Sequence, residues 1–116
     1  MSDTARDFYE TWPEAMAAMK QAAPDIGRGF GGMFQRLMQE GALSVREKEL
    51  IALAVGMALR CEPCMYSHVQ KALGAGATPE QIIEMAGVVV MMQGGPGYVY
   101  VPKLLAALEA LGQVPA

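Results

Sequence analysis

Charge, aromatic rings and histidine are all scarce in this sequence. Of its 116 residues only 18% are Asp, Glu, Lys or Arg, 7% are aromatic, and one is histidine. With 53% hydrophobic residues and so little charge, a disordered chain is excluded, because there is ample apolar surface to bury. Basic residues are outnumbered, 9 Lys and Arg against 12 Asp and Glu, for a net charge of −3. That balance offers no footprint for a phosphate backbone or an anionic bilayer, so neither nucleic acid nor a membrane is an expected partner. The opening MSDTARD carries charge where a signal peptide needs an apolar core, which makes the cytoplasm the expected location. Alternating polar and apolar runs of useful length are missing and no internal repeat stands out. The expected fold is therefore all-α, in a single domain over residues 1–116.

An unbroken apolar span is also lacking. Residues 85–102 carry no charge and reach membrane-spanning length, but Gln93-Gly94-Gly95-Pro96-Gly97 would place a helix-breaking cluster at the bilayer centre. A buried helix, a turn and the start of another helix fit better. The same stretch, with Val88, Val89, Val90, Met91, Met92, Tyr98, Val99 and Tyr100, holds more apolar surface than a monomer of this size hides, which predicts a homo-oligomer.

Helix signals fill most of the chain. Thr11-Trp12-Pro13-Glu14 predicts the cap of a short first helix with Pro13 in its opening turn. Phe30, Met33, Phe34, Leu37 and Met38 form the stripe of a second helix, with Gly41 placed to end it and Gly27, Gly29, Gly31 and Gly32 blurring its start. Ser44-Val45-Arg46-Glu47 is a capping box that launches a helix whose uncharged run over 50–59 predicts a central, mostly buried element. A helix over 63–73 follows, stopped by Gly74 and Gly76. Thr78-Pro79-Glu80-Gln81 caps another, and Leu104, Leu105, Leu108 and Leu111 mark the last, with Pro102 near its beginning.

Chemistry concentrates at Cys61-Glu62-Pro63-Cys64. A disulfide staple across so short a loop removes little unfolded-state entropy, on the order of 2 kcal/mol, and a reducing cytosol opposes it. A redox or metal role is the better reading. Cys61, Cys64 and His68 stand at i, i+3 and i+7, so a helix starting near Pro63 projects them from one face. The positive end of that helix favours a thiolate at Cys64, and His68 supplies an imidazole one turn later. These three with a carboxylate would suit zinc, but no second Cys/His pair exists to close a structural site, and no metal is assigned. A thioredoxin domain is a poor fit, because its motif needs strands this chain does not offer. Glu49 shares a helical face with Val45, Ala52, Leu53 and Gly56. Its carboxylate either points inward as a proton relay or serves the helix dipole from the surface.

The stretches Glu49-Leu50-Ile51-Ala52-Leu53-Ala54-Val55, Cys61-Glu62-Pro63-Cys64-Met65-Tyr66-Ser67-His68 and Ala72-Leu73-Gly74-Ala75-Gly76-Ala77-Thr78-Pro79-Glu80-Gln81-Ile82 resemble the carboxymuconolactone decarboxylase family. More closely they resemble its alkylhydroperoxidase (AhpD-like) branch, over a motif core of about 44–97. The resemblance implies a subunit of about six helices that assembles into trimers or hexamers. It implies reduction of small alkyl or hydrogen peroxides through the cysteine pair, with no bound cofactor and an external dithiol reductant protein of lipoyl or thioredoxin type. By the same resemblance Cys64 is the attacking thiolate, Cys61 the resolving thiol, and His68 and Glu49 members of a proton relay. Pro63 stands where well-studied members of the branch have a further histidine, so one relay member is missing. The lactone-decarboxylating branch generally lacks the C-x-x-C, which makes decarboxylation the lesser expectation. A general dithiol-disulfide exchange protein and a non-enzymatic oligomeric binding protein are the alternatives from other classes.

Overall fold

The computed structural model describes residues 4–113, and among these the regular structure is entirely helical. The elements are α1 (Thr4–Ala22), α2 (Pro24–Leu37), α3 (Val45–Ala58), α4 (Glu62–Gly74), α5 (Pro79–Gln93), the single turn α6 (Gly95–Tyr98) and α7 (Val101–Ala110). The expected all-α class and the breaks at residues 59–61 and 94 follow the sequence signals. No helix among the described residues is long and apolar enough to cross a membrane.

Local chemistry sets most of the starts. Ser44 Oγ accepts the Glu47 amide at 3.0 Å while the Glu47 carboxylate accepts the Ser44 amide at 2.8 Å, completing the predicted box at α3. Thr78 and Gln81 repeat it at α5, at 3.1 and 3.0 Å. The same exchange holds the exposed Glu47 carboxyl below its ordinary range, chiefly because the Ser44 amide donates to its charged form. Proline occupies the first turn of α2, α4, α5 and α7, where a missing N–H costs nothing.

The core lies where α3, α4, α5 and α7 meet. Leu53 and Met57 from α3, Met65 and Val69 from α4, Ile82 from α5, and Leu104 and Leu108 from α7 are fully buried. Helices α3 and α4 form a hairpin and are the most extensively packed pair, with α5 against α3 and α7 against α4.

Four expectations are corrected. The first helix begins at Thr4 rather than Thr11 and carries Pro13 in its interior. Tertiary packing overrides the proline signal here. Ala5 is buried, Phe8 stacks on Trp12 with ring centroids 4.8 Å apart, and the Tyr9 hydroxyl donates to the Tyr66 carbonyl of α4 at 2.6 Å. Burial, with Tyr66 adding to it, holds the Tyr9 phenol well above its usual range. The second helix contains its glycines and stops at Leu37, before Gly41, because the Lys48 ammonium takes the carbonyls of Leu37 and Gln39 at 2.9 and 2.7 Å. Helix α3 is buried on one side only, for Ile51, Val55 and Leu59 are exposed at i, i+4 and i+8. Val89 is 5% exposed and belongs to the monomer's own core, whereas its neighbours Val88, Met91 and Met92 face outward.

Candidate functional site

The turn between α3 and α4 decides where the cysteines sit. Helix α3 closes with a Schellman motif: the Arg60 amide donates to the Met57 carbonyl at 3.1 Å and the Cys61 amide to the Gly56 carbonyl at 3.0 Å. Arg60 occupies the left-handed position of that motif, φ 58°, where glycine is usual. Its side chain supplies compensating contacts, with Nη2 donating to the Pro96 carbonyl at 3.3 Å and the guanidinium 5.2 Å from the centre of the Tyr100 ring. Cys61 then becomes the N-cap of α4, its sulfur accepting the Cys64 amide at 3.2 Å. Glu62, between the cysteines, pairs with Lys103 of α7 at 2.9 Å and so ties this first turn to the core.

Gly56 acts on both cysteines. Its carbonyl receives the Cys61 amide, and a Cβ at this position would come within 3.0 Å of the Cys64 Cβ and 3.5 Å of the Met65 nitrogen. The bare backbone of α3 therefore lets the first turn of α4 seat against it. Cys61 and Cys64 are joined as a disulfide, with Cα atoms 5.2 Å apart, and Cys64 is the more exposed of the two.

One turn further along α4, His68 meets α3 again. Its Nδ1 lies 2.6 Å from Glu49 Oε1, with the Glu49 residue only 4% exposed. The Glu49 side chain thus faces inward and is partnered rather than standing at the surface. A carboxylate in that position accepts from Nδ1–H, which leaves Nε2 as the ring nitrogen free to exchange a proton. The Phe34 ring of α2 lies nearly parallel to the imidazole, 24° between planes at 6.2 Å, and the Lys71 ammonium stands 4.3 Å from the centre of Phe34.

All four predicted residues thus lie along the α3–α4 seam, as two pairs: Cys61 with Cys64, and His68 with Glu49. His68 turns to the carboxylate, and among the described residues no group of three or more His, Cys, Asp and Glu side chains is arranged to hold a metal ion. Sequence reasoning passed over Gly56, Arg60 and Phe34. An interior helical glycine, which costs about 1 kcal/mol against alanine, was the available signal for Gly56. Arg60 and Phe34 carried none, since their roles depend on elements distant in sequence.

The model of the carboxymuconolactone decarboxylase family matches residues 24–113. An uncharacterised protein of Cupriavidus necator is 38% identical over 94 residues, covering 81% of this chain and 83% of its own. A second uncharacterised protein, from the cox locus of Paracoccus denitrificans, is 36% identical over 102 residues, covering 85% and 92%. Among solved structures, a carboxymuconolactone decarboxylase family protein from Legionella pneumophila superposes with a TM-score of 0.82 at 32% identity over 96% of either chain. A Thermotoga maritima family protein, suggested to take part in an antioxidative response, superposes with a TM-score of 0.76 at 24% identity, over 91% of this chain and 90% of its own. That last likeness concerns the fold alone. With the family model spanning most of the sequence and a solved relative matched nearly end to end, the chain belongs to the carboxymuconolactone decarboxylase family.

Proposed function

We propose that this chain is a dithiol peroxidase of the alkylhydroperoxidase branch, acting on small alkyl hydroperoxides or hydrogen peroxide. The observation that carries the reading is a cysteine pair at a helix N-terminus with a hydrogen-bonded His68–Glu49 pair one turn further along the same seam.

In the reduced protein, the Cys64 thiolate attacks the distal peroxide oxygen. An S–O bond forms, the O–O bond breaks, and the departing alkoxide takes a proton from His68 Nε2 or a water held there, leaving a sulfenic acid. Glu49 keeps the ring oriented through Nδ1. Cys61 then attacks the sulfenic sulfur, the disulfide forms, and water leaves. An external dithiol of lipoyl or thioredoxin type reduces the disulfide through a mixed disulfide, returning two electrons and two protons. A cytoplasmic location, where such reductants circulate, goes with this cycle.

The test is mass spectrometry of the reduced protein after one equivalent of peroxide. A Cys61–Cys64 disulfide in the parent and a trapped sulfenic acid in Cys61→Ser are expected. Alkylation against pH assigns the nucleophile: Cys61→Ser, which retains Cys64, should react faster near neutral pH than Cys64→Ser. The reverse order would give the role to Cys61, whose sulfur accepts the helix amide. Pro63 favours a second reading, dithiol-disulfide exchange with little peroxide activity, because the residue preceding Cys64 has no proton to give. Unchanged cysteines after peroxide, with rapid exchange against a small disulfide, would select it.

A further inference from the structure

Helices α1 and α2, with Lys71 of α4, border an open cleft of about 460 Å³ that the dithiol chemistry leaves unused, and Ile26 and Phe30 in its wall are 65% and 61% exposed. Its walls are Met16, Met19, Ile26, Phe30 and Phe34, and its volume falls in the roughly 300–1,000 Å³ range of small-molecule sites. Unbranched methionines suit a wall that must adapt to a flexible chain. The only charged residues lining it are Lys20 and Lys71, and neither is in an ion pair among the described residues. Both lysines are exposed, and the Lys71 ammonium lies over the Phe34 ring at the edge of the cleft. An open apolar cleft edged by two ammonium groups, with no carboxylate among its lining residues, fits an amphipathic anion. Phe34 is shared with the His68 ring, which puts the cleft one aromatic ring away from the proposed proton relay.

We propose that this cleft binds a monomeric medium-chain carboxylate, its acyl chain among the Met and Phe side chains and its carboxylate on Lys71 and Lys20. Binding requires neither thiol, so the proposal stands or falls apart from the peroxidase reading.

Calorimetry with sodium octanoate and decanoate, below their micelle concentrations, tests it on the full oxidised chain. One saturable site per chain is expected, with about tenfold or more tighter binding for the two added methylenes. Lys20→Met with Lys71→Met should weaken decanoate about tenfold and leave decan-1-ol unchanged. Gly31 also lines the cleft, and a Cβ there meets nothing within 4 Å, so Gly31→Leu fills the space at no cost to the helix and should abolish binding of both. Circular dichroism and the sole tryptophan, Trp12, report whether each variant is folded. Absence of a saturable site, equal loss of acid and alcohol in the lysine variant, or binding to anionic vesicles without binding to monomeric decanoate would overturn the proposal. So would persistence of decanoate binding in Gly31→Leu, or loss of an assembled state in Phe30→Asp, which would give the cleft to a second copy.

Discussion

Glu49 and Gly56 lie two turns apart on α3 and face His68 and Cys64 respectively, so each can be tested for a distinct part of the site. Glu49→Gln preserves shape and much of the hydrogen bonding, and should keep the fold while slowing peroxide turnover by at least about tenfold if the carboxylate supports proton transfer. Stopped-flow peroxide consumption reads this directly, and unchanged turnover would leave Glu49 a structural partner of the imidazole. Gly56→Ala opposes two effects. Alanine favours the helix by about 1 kcal/mol, but overpacking against Cys64 costs about 1–3 kcal/mol. A net loss of about 1 kcal/mol in urea unfolding is expected, together with a changed alkylation rate at Cys64. A stabilised variant with unaltered thiol reactivity would show that the two helices separate freely there.

At the scale of elements, the capping boxes are the most legible feature, because each is complete within four residues and needs no distant partner. Ser44→Ala should cost about 1 kcal/mol. The box also predicts a pH dependence. The folded Glu47 carboxyl binds its proton less readily than the ordinary value of 4.5 implies, so the unfolded chain takes up more protons as acid is added. Its contribution is therefore fully present above that ordinary value and is lost as pH falls through the lower folded value. Glu47→Gln should flatten this acid limb in denaturation measured across pH 5 to about 2. The beginning of α1 was not legible in the same way. Thr11-Trp12-Pro13 reads locally as a helix start, yet Ala5, Phe8 and Tyr9 gain enough against α4 and α7 to extend the helix by two turns upstream of it.

For the whole molecule, the radius of gyration is 14.5 Å, against roughly 13 Å for a compact domain of this length. Helix α2 accounts for much of the difference, since it packs chiefly against α1 and buries none of its residues. Large apolar side chains remain outside elsewhere too, including Ile51 and Val55 on α3 and Met91 and Met92, 72% and 75% exposed, on α5. We propose that further copies of the chain cover the exposed faces of α3 and α5 in a trimer or hexamer. Light scattering at low micromolar concentration should find no monomer near 12.4 kDa. Because Met91 is exposed and Val89 is core, Met91→Asp should dissociate the assembly with helicity retained, while Val89→Asp should unfold the subunit. A stable parent monomer would overturn the proposal.

The sequence by itself determined the helical class, most helix boundaries and the helix that carries Cys61, Cys64 and His68. Those features rest on period, capping and spacing, all of which act over a few residues. Only the tertiary structure decided that Glu49 turns inward to His68, that Gly56 admits Cys64, that α1 runs through Pro13, and which face of α3 and α5 stays uncovered. Each of these depends on which helix lies opposite, and a residue's spacing along its own helix says nothing about the neighbour it will meet.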